Sequence, residues 1–193
     1  VIVEEAPAAA ESTPARPHQL FTLSARSETA LNEIGRRMAA HLRSHRDTSL
    51  ADAAFTLHVG RRFFKFRRAL VAANGAGAQL AEALESAEKL PFREASDRPV
   101  VFLFPGQGAQ YPGMAAGLYK TEPIVRRTID NCARLLKPAL DADLRKVLFP
   151  STRNRRDAAE ALKNTRWAQP ALFTVGYALA QLWTSWGIRP AAM

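Results

Sequence analysis

A single cysteine, Cys132, stands among the 193 residues of the chain. An internal disulfide framework is therefore excluded, and a reducing cytoplasm is the expected compartment. Metal-ligand spacing is missing as well. Of the four histidines, His41 and His45 lie four apart, but no third ligand accompanies them, so no metal is expected. No apolar run approaches the ~20 residues that a bilayer span requires, so no membrane is expected as a partner. The opening residues 1–7 carry neither a basic leader nor an apolar signal core, and the chain starts without Met, as an excised segment would.

What is present reads as soluble and globular. Hydrophobic residues make up 47% and charged residues 23% of the chain. The formal charge is +9 and the pI about 10.4. Arg61, Arg62, Arg67 and Arg68 belong to the basic set. Three readings fit it: an arginine-rich solvated face, an acidic protein or anionic partner, or nucleic acid. No nucleic-acid module signature accompanies the charge, so nucleic acid is not expected. Cys132 sits in a helical pattern and reads as a buried structural thiol.

Residues 1–17 divide into a strand end, Val1-Ile2-Val3, and a linker rich in Ala, Pro, Glu and Ser. Residues 18–97 read as a small α+β module, a three-stranded sheet with helices on one face. Residues 19–23 form its first strand. Ser27 caps a helix whose apolar face is Leu31, Ile34, Met38 and Leu42. Ser49 caps a second helix that Gly60 stops. A strand over 64–72, a turn at Asn74-Gly75 and a third helix to about residue 88 follow, and the pattern lapses from 90 to 98.

Residues 98–193 form the second module. The apolar run at 100–104 predicts a strand buried on both faces in a parallel sheet. A glycine-rich turn at 105–110 follows, and Pro112 can open a helix. The next helix spans about 122–136, broken by Pro138, and 150–158 reads as a loop. Pro170 fits the first turn of a long helix with the stripe Leu172, Val175, Leu179, Leu182 and Trp186, ended by Gly187. Residues 188–193 look like the lead-in to a further strand.

The strand, turn and helix at 100–119 carry the chemistry. A dinucleotide fingerprint lacks its third glycine, because Tyr111 stands there. A phosphate loop lacks its Gly-Lys-Ser/Thr. Two readings stay open. One is a plain strand-to-helix connector. The other is an oxyanion hole, with Gly106 and Gly108 letting the backbone turn so that the Gln107 N–H faces a developing oxyanion.

The wording of the segment adds to this. Phe104-Pro105-Gly106-Gln107-Gly108-Ala109-Gln110 is similar to the opening signature of the malonyl-CoA:acyl carrier protein transacylase family. That family includes the acyltransferase domains of polyketide and fatty acid synthases. Thr165-Arg166-Trp167-Ala168-Gln169-Pro170-Ala171-Leu172-Phe173 resembles a second family block, T-x-x-A-Q-P-A-L-F. Val1 to Pro7 resembles the end of a ketosynthase, and Leu50 to Arg62 resembles the linker between ketosynthase and acyltransferase.

The resemblance implies a modular type I polyketide synthase and a linker domain, followed by the front of an α/β-hydrolase-like acyltransferase core. It implies ping-pong transfer of a malonyl-type unit from acyl-CoA to the phosphopantetheine thiol of an acyl carrier protein, through a serine ester with histidine as base. No tightly bound cofactor is implied. The implied partners are the carrier protein, the ketosynthase of the same polypeptide and acyl-CoA, in a homodimer joined through the ketosynthase. By residue, Gln107 is implied as the backbone oxyanion donor, with Gly106, Gly108 and Gln169 at the substrate. The nucleophile motif Gly-His-Ser-x-Gly does not occur here, so the chain alone is expected to be inactive. A non-catalytic adaptor, positioning ketosynthase, acyltransferase and carrier protein, is the alternative.

Overall fold

The computed structural model describes residues 16–94 and 98–193, and the chain divides into two compact units, Val1–Asp97 and Arg98–Met193. The strand end and most of the linker expected over 1–17 lie outside the described residues. Among the described residues no helix is long and apolar enough to cross a membrane.

In the first unit, β1 (His18–Ala25) and β2 (Phe66–Ala73) pair antiparallel, and β3 (Arg93–Glu94) adds to β2. The sheet order is β1-β2-β3. The short third strand falls in the stretch where the sequence pattern lapses. Two residues are too few to show an alternation. Opposite residues in an antiparallel pair share a face. Phe21, Leu23 and Ala25 thus share one with Ala72, and all four are buried. The other face exposes Leu20 and Val71, an apolar pair in register.

Two of the helices begin where their serine caps place them, and the second ends at Gly60. Ser27 caps α1 (Glu28–Ser44) by accepting the Ala30 N–H, and Ser49 caps α2 (Leu50–Val59) by accepting the Asp52 N–H. Each such cap stabilises by about 1 kcal/mol. Gly75, with φ +83°, carries the turn into α3 (Gly77–Glu85). The buried face of α1 keeps Leu31 and Leu42 of the expected face but not Ile34 and Met38. It is Leu31, Gly35, Ala39 and Leu42, because small residues let α1 lie close to α3. Ile34 and Met38 wall an open groove, with Met38 half-buried against the core.

The second unit is helical around its own core: α4 (Ala116–Thr121), α5 (Pro123–Leu140), α6 (Arg145–Leu148), α7 (Arg155–Ala161) and α8 (Thr165–Ser185). Pro138 does not break α5. It lies in the last turn, where its missing N–H forfeits one bond before Asp141 closes the helix in the left-handed region. Pro170 likewise lies inside α8 rather than in its first turn, because the helix starts earlier, under the Asn164 cap. Part of the expected 150–158 loop coils into α7. Pro112 does not open a helix directly, since Gly113 and Ala115 take positive φ and α4 begins only after them.

The buried face of α8 is Ala168, Ala171, Thr174, Gly176, Ala178 and Leu182, with α5 packed closely against the helix. Of the expected stripe, Leu182 is buried, Leu172, Val175 and Leu179 are half-buried, and Trp186 is exposed. Gly187, at φ +88°, ends α8 as foreseen. Its N–H reaches Thr184 O, and the Ile188 N–H reaches Trp183 O, the paired bonds of a Schellman closure.

Residues 100–104 do not form the doubly buried strand. They make one parallel bridge, Val101 to Ala192, through Ala191 N–H to Val100 O and Phe102 N–H to Ala192 O. Leu103 is 89% exposed. A run this apolar becomes a buried strand only with a ladder on each side, and among the described residues a single bridge is all that supports it.

Candidate functional site

The turn at 105–110 follows Phe104, whose ring lies over Gly176 of α8. A Cβ on that glycine would meet Phe104 Cδ1 at 2.9 Å. Only a residue without a side chain admits the ring there. At its other end the turn is tied by Gln110, whose Nε2 donates to Leu162 O at 3.0 Å, just ahead of α8. The segment therefore runs along α8 from Gly176 back toward the helix N-terminus. Gln169 lies seven residues, about two turns, before Gly176 and so shares its helix face.

Within the turn, Gly108 has φ +115°, a conformation that favours glycine strongly. Gly106 has no positive φ, and beyond the adjoining residues no atom lies within 4 Å of a Cβ placed there. Its want of a side chain leaves an open approach to the peptide that joins it to Gln107. The Gly108 N–H donates to Gln110 Oε1 at 2.7 Å. The Gln107 N–H donates to no backbone or side-chain acceptor among the described residues, and the residue is exposed. A backbone donor left unpaired in an exposed turn can bind an oxyanion. The structure thus gathers Gly106, Gln107 and Gly108 in one exposed turn. Gln169 is exposed on α8, with no hydrogen bond to that turn.

Gln110 is the residue that sequence reasoning leaves without a role. It ends the motif string, and its place two residues after Gly108 is the signal that could have marked it. At that distance a side-chain amide can reach back to a turn N–H.

Burial pushes the Cys132 thiol above its usual range, which suits a packed thiol rather than a nucleophile. Among the described residues no group of His, Cys, Asp and Glu could hold a metal.

In the first unit the basic residues converge. Arg37, Arg61, Arg62, Arg67, Arg68 and Arg93 line a groove of about 990 Å³, whose single acidic wall residue among the described residues is Asp52. Arg67 lies over Phe63, and Arg62 over Phe64, so part of the charge is held on aromatic faces.

Comparisons with known proteins give this geometry a context. Residues 19–84 match the family described as CurL-like, PKS C-terminal, and residues 101–193 match the acyl transferase domain family. The chain is 36% identical over 203 residues to erythronolide synthase EryA2 of Saccharopolyspora erythraea, spanning all of this chain and 5% of that protein. It is 38% identical over 205 residues to the spectinabilin polyketide synthase system protein NorA' of Streptomyces orinoci, again spanning all of this chain and 5% of that protein. The chain thus covers only a small part of the length of these relatives. The acyl transferase domain of ZmaA superposes with a TM-score of 0.85 at 35% identity, covering 93% of this chain and 42% of that one. The acyltransferase domain from module 8 of the salinomycin polyketide synthase gives 0.77 at 29% identity, covering 91% and 42%.

Proposed function

The chain belongs to the polyketide synthases, in the stretch that joins their CurL-like segment to an acyl transferase domain, and on that footing we propose what its exposed turn does. The turn supplies one half of an oxyanion hole. In the parent polypeptide it serves transfer of a malonyl-type acyl group from coenzyme A to the phosphopantetheine thiol of a carrier protein. The observation that carries this reading is the Gln107 N–H, left without an acceptor among the described residues in an exposed turn between two glycines.

The chemistry needs such a donor twice. Serine attack on the acyl-CoA thioester drives negative charge onto the carbonyl oxygen. Attack by the carrier's thiol on the resulting ester does so again. A backbone N–H fixed in place before reaction stabilises both tetrahedral states without reorganising. The serine and its histidine base are proposed in the part of the domain that these 193 residues do not include, since Gly-His-Ser-x-Gly is not among them. Gln169, on the face of α8 that the turn follows, is the polar group proposed beside the substrate. The purely structural adaptor is the weaker reading, because the acyl transferase match spans the whole second unit from residue 101. The arginine-lined groove of the first unit offers the charge that an acidic carrier surface would meet.

The test uses the full-length polypeptide. Gln107→Pro deletes the N–H and should slow acyl-enzyme formation by about 100-fold or more. Gln107→Ala keeps the N–H and should stay within about tenfold of the native rate. Equal losses in the two variants would count against a backbone role.

A further inference from the structure

Neither glycine of the oxyanion turn is wedged by packing. Beyond the adjoining residues, no atom lies within 4 Å of a Cβ built on Gly106 or on Gly108. Steric confinement therefore does not hold the turn, and its hydrogen bonds must. Two of them come from one side chain. Gln110 Oε1 accepts from Gly108 N–H at 2.7 Å, and Gln110 Nε2 donates to Leu162 O at 3.0 Å. The carboxamide orientation is unambiguous, since its oxygen faces a donor and its nitrogen an acceptor. Gln110 is also half-buried in a turn that is otherwise exposed, so water competes less for these bonds.

We propose that Gln110 is a positioning residue, whose side-chain amide pins the oxyanion turn to the backbone ahead of α8 and so fixes where the Gln107 N–H points. This rests on the proposed role of Gln107. The clamp acts in two ways. It occupies the Gly108 N–H, so that the neighbouring N–H of Gln107 is the one left for the oxyanion. It also ties a glycine-rich turn that has little rigidity of its own to the carbonyl of Leu162, the residue that closes α7 ahead of α8. A donor displaced by about 1 Å can cost about 100-fold in rate, which is why a residue that touches no substrate can matter this much.

The experiment follows the first half-reaction, transfer of the acyl group from acyl-CoA to the full-length enzyme. Rates are normalised to the fraction of molecules able to form the acyl-enzyme. Gln110→Leu removes both bonds. Its kcat should fall by about 30- to 100-fold with KM within about threefold. Gln110→Glu keeps the acceptor for Gly108 but loses the donor to Leu162, and it should fall between Leu and native. A kcat within about threefold of native in both variants overturns the proposal, as does a loss confined to KM. Amide exchange in the native protein gives a second test that needs no variant. The Gly108 N–H should exchange more slowly than that of Gln107, and an unprotected Gly108 also overturns the clamp. A native enzyme that forms no acyl-enzyme sinks the transferase reading itself. Native transfer with undiminished Gln110→Leu sinks only the clamp.

Discussion

Arg68 stands opposite Leu23 in the sheet of the first unit and faces the helices among apolar neighbours. It is 4% exposed, and only its Nη2 is bonded, to Asn32 Oδ1 and Leu90 O. Its Nε and Nη1 have no acceptor, and burial holds its basicity below the usual arginine range. Desolvation here outweighs the gain from two neutral acceptors. Arg68→Met should therefore leave the urea midpoint unchanged or raise it. Arg68→Ala should lose ~2–4 kcal/mol to the cavity it opens. A loss above ~2 kcal/mol in the Met variant would show that the charge itself stabilises the fold. From the sequence, Arg68 is one member of a basic run beside Arg67. Strand alternation sends one of the two inward and the other outward, which the run of charge alone conceals.

Between elements, Arg145 joins three helices of the second unit. Its guanidinium donates to Asp143 Oδ2 at 2.6 Å and to Asp130 Oδ1 at 2.8 Å, and the Tyr119 hydroxyl donates to the same Asp130 oxygen at 2.7 Å. The Asp130 bond holds the Tyr119 phenol above its usual range. The Arg145 side chain brings the Asp143 carboxyl down to about 2. The depressed value means that Asp143 stabilises fully above its unfolded pKa, near pH 4, and loses that contribution as pH falls toward 2. Arg145 is 41% exposed, so after screening the effect is on the order of 1 kcal/mol. The native protein should be more stable than Asp143→Asn at pH 6, with the gap closing between pH 4 and 2. A gap independent of pH would assign it to something other than the ion pair. The starts of α1 and α2 and the ends of α2 and α8 were legible from Ser27, Ser49, Gly60 and Gly187, because caps act within one turn. The buried faces of α1 and α8 were legible only at Leu31, Leu42 and Leu182. Their small residues are buried because a neighbouring helix comes close, and hydrophobicity ranks them low.

For the molecule as a whole, each unit encloses its own apolar core. The core of the first unit draws on β1, β2 and all three of its helices, with Phe21, Leu31 and Leu84 fully buried. Residues 16–94 expressed alone should unfold cooperatively in urea, and a broad transition without a baseline would sink that expectation. The second unit exposes Leu103, Phe173, Tyr177 and Trp183. Residues 98–193 alone should therefore bind a hydrophobic dye, and a fluorescence titration without enhancement would count against that surface. The family signature, the helix caps and the glycine turn could all be read from the amino-acid order, since each is written in a few adjacent residues whose backbone preferences are local. Three outcomes had to wait for the folded chain: that 100–104 is a bridged extended segment, that Arg68 is buried, and that Gln110 spans 52 residues to Leu162. They depend on which distant backbone groups come within about 3 Å, and no local pattern encodes that.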